Sequence, residues 1–116
     1  MKSPAWTREE LILALDLYLD FEGRLRGPSN PKVIALSRVP NQLPIHAGHV
    51  RGDSFRNPGR VSLKLANFRA VDPTTERVGM SRGSRLDQEV WNEFESDRLS
   101  IRREALQIRQ QAVLRE

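Results

Sequence analysis

Phe55-Arg56-Asn57-Pro58-Gly59-Arg60-Val61-Ser62-Leu63-Lys64-Leu65-Ala66-Asn67-Phe68-Arg69 reads as a short amphipathic helix with its start signal and two faces written into it. Asn57 can accept hydrogen bonds from the free N–H groups of a first helical turn. Pro58 stands where a missing N–H costs nothing, so the spacing predicts a helix over 57–70. Val71-Asp72-Pro73 stops it, because proline disfavours helical geometry in the residue before it. Val61, Leu65 and Phe68 recur at i, i+4, i+7 as one apolar stripe. Arg60, Lys64 and Asn67 repeat that spacing on another side, with Arg56 just upstream. One face is to be buried, and the other offers cations and a carboxamide.

That polar face has what a reader of duplex DNA needs. Arginine and lysine meet phosphates or guanine edges, asparagine meets an adenine edge, and a single helix fits the major groove. A basic helix face is elsewhere only a solvated surface, and two features point past that reading here. The helix follows a long helix and a second helical segment, the order of a helix-turn-helix or Myb-like three-helix reader. Charge is also concentrated around it: residues 51–82 hold seven Arg/Lys against three Asp/Glu, whereas residues 1–50 hold six against five and residues 83–116 six against seven.

With 116 residues, 38% hydrophobic and 29% charged, the chain is expected to form one soluble helical domain. No stretch approaches the ~20 apolar residues of a membrane span, and no basic-then-apolar leader opens the chain, so a cytoplasmic location without membrane contact is expected. Cysteine is absent, which excludes disulfides, thiol catalysis and cysteine-ligated zinc. The pI near 10.3 and net charge of +4 favour an anionic partner.

The first helix opens at Thr7, where Glu10 completes a capping box, and runs to about Glu22 with Leu11, Ile12, Leu15, Tyr18 and Leu19 facing the core until Gly23 ends it. Trp6 is read as a staple against this helix. Asn30-Pro31 repeats the cap-then-proline signal, predicting a second helix from Pro31 to about Ser37 that buries Val33, Ile34 and Leu36. Pro40 to Phe55 is expected to be a loop whose Asn41, His46, His49 and Arg51 can reach phosphate. His46, His49 and Asp53 lack a fourth ligand and the spacing of a zinc site, and no nucleophile, base and orienting group converge, so neither metal, cofactor nor catalysis is expected.

After a loop from Asp72 to Gly83, Ser84 and Asp87 form a second capping box for a fourth helix burying Leu86, Val90, Trp91 and Phe94. From Ser96 onward the composition is that of a long exposed helix. Leu99, Leu106 and Val113 repeat every seven residues, with Ile101, Ala105, Ile108 and Ala112 between them, too few heptads for a coiled coil.

Trp6-Thr7-Arg8-Glu9-Glu10-Leu11-Ile12-Leu13-Ala14-Leu15-Asp16-Leu17-Tyr18, Leu43-Pro44-Ile45-His46, Phe55-Arg56-Asn57-Pro58, Lys64-Leu65-Ala66-Asn67-Phe68-Arg69, Asp72-Pro73, Gly79-Met80, Gly83-Ser84 and Glu89-Val90-Trp91 occur in this order. Together they resemble the N-terminal domain of bacterial HNH restriction endonucleases of the modification-dependent (type IV) kind, across Trp6 to about Arg109. In such enzymes this domain precedes modules that read modified DNA and a C-terminal HNH nuclease. Gly59-Arg60 departs from the family pattern, which has asparagine and glycine there. The resemblance implies a targeting segment of a larger nuclease; it supplies no metal finger and no modified-base pocket in this chain.

The expectation is thus an all-α fold of four to five helices, the first three helix-turn-helix-like. Residues 1–97 would form the DNA-engaging domain, and 98–116 a connecting helix toward a following domain. Arg56, Arg60, Lys64 and Asn67 would face double-stranded DNA, flanked by His49, Arg51 and Arg69 on phosphates. The alternative is an interaction or homodimerisation module that positions the nuclease through the helix over 98–115 without touching DNA.

Overall fold

The computed structural model describes residues 5–42, 56–73 and 84–114. The described chain is all-α, with five helices: α1 (Arg8–Asp20), α2 (Pro31–Gln42), α3 (Pro58–Val71), α4 (Arg85–Phe94) and α5 (Arg98–Leu114). No helix among the described residues is long and apolar enough to cross a membrane.

Helix α1 is the axis of the fold, with all four other helices packed against it. Every residue from Glu10 to Tyr18 is buried, so the stripe expected from the sequence extends to the whole circumference. A helix that is enclosed on all sides must satisfy its polar members internally. Both capping boxes form as expected: Thr7 with Glu10 on α1, and Ser84 with Asp87 on α4. Helix α1 ends at Asp20, two residues before Glu22, with Phe21 as its cap. Glu22 and Gly23 then take left-handed backbone (φ 56° and 78°), and the Gly23 N–H returns to the Tyr18 carbonyl at 3.3 Å. A Cβ at Gly23 would meet the Tyr18 hydroxyl at 3.4 Å on a backbone that already disfavours side chains.

Helix α2 corrects one expectation. It continues past Ser37 to Gln42, through Pro40 rather than stopping before it. Proline removes one helical hydrogen bond, but Val39 and Pro40 are buried, and that packing outweighs the local preference. The remainder of the expected Pro40–Phe55 loop lies outside the described residues, apart from the helical 40–42.

Helix α3 begins at Pro58 under an Asn57 cap and buries Val61, Leu65, Phe68, Ala70 and Val71 against α1, α2 and α4. On α4, Val90, Trp91 and Phe94 are buried and Leu86 is partly so; Trp91 meets Tyr18 edge-on, ring centres 6.1 Å apart. Trp6 packs against this core as the staple reading predicts. On α5, Ile101, Ala105, Ile108 and Ala112 enter the same core cluster as α1. Helix α5 thus contributes its buried row to the core that α1 anchors.

Candidate nucleic-acid interface

The expected DNA-facing side of α3 can be followed residue by residue, starting at its N-terminus. Arg56 points inward. Its side chain is 1% exposed; Nε donates to Glu10 Oε2 at 2.7 Å, and Nη2 donates to Glu10 Oε1 at 3.1 Å and to the Ala5 carbonyl at 3.1 Å. The guanidinium also lies over the Trp6 ring, 4.7 Å from its centre. The Arg56 backbone is left-handed (φ 47°), a geometry costing a non-glycine residue about 1–2 kcal/mol, which these contacts offset.

Lys64 is held in a parallel way. Its Nζ donates to Asp87 Oδ1 and Oδ2 at 3.1 and 3.3 Å and sits 5.5 Å from the Trp6 ring centre. Glu10 and Asp87 are the acidic members of the two capping boxes, and both are fully buried. Each carboxylate caps its own helix and also binds a cation, Arg56 from just ahead of α3 or Lys64 from within it. A buried carboxylate needs such a partner, because removing it from water is costly unless it is paired and hydrogen-bonded. Arg56 and Lys64, expected to face DNA, are instead internal fasteners, both within reach of the Trp6 ring.

The other expected contacts divide. Arg60 is exposed, its backbone N–H bonded to the Asn57 cap at 2.9 Å. Asn67 and Arg69 are half-buried. Arg69 lies near a buried lock in which the Tyr18 hydroxyl donates to Asp72 Oδ2 at 2.6 Å. Burial, and then the bond to Asp72, push the Tyr18 hydroxyl well above its ordinary range, against a weaker opposing effect of Arg69. His49 and Arg51, together with His46 and Asp53, lie outside the described residues.

Two cations that the sequence reading passed over come to α3 through the chain's path. Ser62 Oγ donates to the Arg26 carbonyl at 3.0 Å, tying the segment after α1 to the first turns of α3. Arg24 and Arg26 are both exposed there, with the Arg26 guanidinium over Phe21 at 5.7 Å. No local motif announces this approach, since the two segments lie 36 residues apart in the chain.

A second charged cluster gathers at Asp16 and Asp20 of α1. Asp16, nearly buried, accepts from Arg98 at 2.7 Å and pairs with Arg102 at 3.4 Å; Asp20 binds Lys32 at 2.7 Å and Arg102 at 3.2 Å. The Lys32 ammonium holds the Asp20 carboxyl below its usual range. At the N-terminus of α1, Arg8 bridges to Glu93 of α4 and, at 3.6 Å, to Glu104 of α5. These pairs fasten α2, α4 and α5 to α1. Comparison of the chain with family models, curated proteins and solved structures found no match.

Proposed function

We propose that this chain is a non-catalytic, DNA-engaging domain of a larger modification-dependent HNH restriction endonuclease, holding duplex DNA by phosphate contacts rather than base readout. The family resemblance supports the parent enzyme. The contact edge rests on one observation: the Ser62–Arg26 hydrogen bond, which has exposed Arg24, Arg26 and Arg60 within two residues of it. Arg56 and Lys64 drop out of the contact set because Glu10 and Asp87 already hold them. Arg51 and His49 remain flanking contacts in this reading, and Asn67 is half-buried on α3.

Arg24, Arg26 and Arg60 together contribute about −2.7 to the slope of log affinity against log salt. Titration of the chain into a short labelled duplex, unmodified and modified, at several salt concentrations reads this slope. Arg24→Ala, Arg26→Ala and Arg60→Ala should each flatten it by about 0.9. Affinity indifferent to salt and to the triple variant would overturn the reading. The alternative, an interaction module, is favoured by a different observation: Leu99, Leu106 and Val113 stand exposed on α5.

A further inference from the structure

Helix α5 uses only one of the apolar rows in its sequence to join the core. Ile101, Ala105, Ile108 and Ala112 are buried, whereas Leu99, Leu106 and Val113 are 78%, 49% and 63% exposed. Residues seven apart on a helix drift by only about 20° per step, so these three form a nearly straight seam. The lower two line a groove of about 380 Å³ together with Arg109 and Gln110. Large apolar side chains standing in line, rather than scattered, mark an interaction surface.

The charges beside the seam say what kind of surface fits it. Arg102 and Arg109 follow Leu99 and Leu106 by three residues on one flank; Arg103 and Gln110 follow them by four on the other. The one acidic residue between Arg98 and Leu114 is Glu104, which is half-buried and engaged by Arg8 at 3.6 Å. Arg102 is shared with Asp16 and Asp20, while Arg103 and Arg109 make no hydrogen bond or ion pair among the described residues. Arg109 is half-buried, and burial lowers its pKa. It also lines the neighbouring cavity of about 230 Å³ beside Asp16 and Lys32. A second copy is a poor occupant, because two such seams face to face set arginines against arginines.

We propose that the Leu99–Leu106–Val113 seam of α5 docks an acidic amphipathic helix of a partner polypeptide, its apolar row on the seam and its carboxylates on Arg103 and Arg109. This interface deepens the interaction-module alternative and does not depend on DNA binding. It joins the helix-in-groove mode of recognition to flanking charge complementarity.

The test is calorimetric titration of the intact chain with two synthetic helical peptides of α5's length. Both carry leucine at heptad spacing; one has glutamate flanks and the other lysine flanks. The glutamate peptide should bind about tenfold more tightly, and Arg103→Glu with Arg109→Glu should reverse that preference. Leu99→Ser with Leu106→Ser should abolish binding while leaving the thermal midpoint and far-ultraviolet circular dichroism unchanged. Because Arg109 is half-buried, Arg103→Glu alone provides a second measurement and should narrow the preference severalfold. Equal binding of the two peptides, or none, overturns the proposal. Self-association removed by the serine substitutions overturns it in favour of a second copy. Competition between duplex DNA and the glutamate peptide for the seam overturns it in favour of nucleic acid. The phosphate-contact reading stands or falls separately, on the salt slope of the Arg24, Arg26 and Arg60 variants.

Discussion

Helices α3 and α5 are both amphipathic by spacing, and both carry arginine on their polar sides, yet the fold treats them in opposite ways. At α3, two cations are drawn inward, Arg56 just ahead of its cap onto Glu10 and Lys64 of its polar face onto Asp87. On α5, an apolar row is left outside, Leu99, Leu106 and Val113. The reason is how the neighbours are distributed around each helix. Helix α3 is clasped by α1, α2 and α4, so even its polar side meets protein, and the side chains able to stay there are those that neutralise buried capping carboxylates. Helix α5 lies mainly along α1, with lesser contact to α2 and α4, and its Leu99–Leu106–Val113 row is left uncovered. Polarity on a helical wheel therefore identifies a face without saying whether water or protein lies against it.

The largest expected effect breaks the α3 side of this comparison. Arg56→Ala leaves Glu10 buried without its cation and should cost about 3–5 kcal/mol, a large share of the roughly 5–15 kcal/mol typical of a domain. Urea unfolding followed by circular dichroism measures it; a loss under about 1 kcal/mol would mean that Arg56 is free to face a ligand. Arg60→Ala, four residues on and exposed on α3, should stay within about 0.5 kcal/mol.

A smaller effect sharpens the picture of how α3 ends against α1. Tyr18→Phe removes a buried hydrogen bond to Asp72 and should cost about 1–3 kcal/mol. Its pH dependence has a definite sign. The hydroxyl's pKa is raised above its ordinary value of 10.0, so the native state holds that proton more tightly than the unfolded chain. The resulting stability is complete below about pH 10 and is lost as pH rises through the higher folded-state value. Unfolding midpoints between neutral and strongly alkaline pH should fall in the parent and fall less steeply in Tyr18→Phe; parallel curves would remove Tyr18 as the cause.

The smallest effect tests the α5 side. Leu106→Ser should change stability by no more than about 0.5 kcal/mol, with Leu99→Ser and Val113→Ser alike. Ile101→Ala, one face away, should lose about 2–5 kcal/mol. A large loss at Leu106 would show that the seam is already covered within the chain. Equal losses at the two positions would erase the distinction between the rows.

Much of the fold was legible because its signals are local. Thr7 with Glu10, Ser84 with Asp87, and Asn57 before Pro58 each mark a helix start within three residues, and each forms as written. The stripes Val61-Leu65-Phe68 and Val90-Trp91-Phe94 likewise follow from the helical repeat and are buried. Where reading stopped short, at Pro40, the burial of Val39 and Pro40 overrode the local break. The candidate site was less legible. Nothing near Arg24 and Arg26 announces α3, and nothing near Arg56 announces Glu10, 46 residues earlier.

What this sequence determined by itself is the all-α class, the helix starts and the row of each helix that can be buried, since caps and periodicity are properties of neighbouring residues. Tertiary structure alone decided which polar rows became internal pairs and which apolar row stayed in water. The partner of a charge, or the cover of an apolar seam, is supplied by whichever distant helix packs there, and no repeat along the chain encodes it.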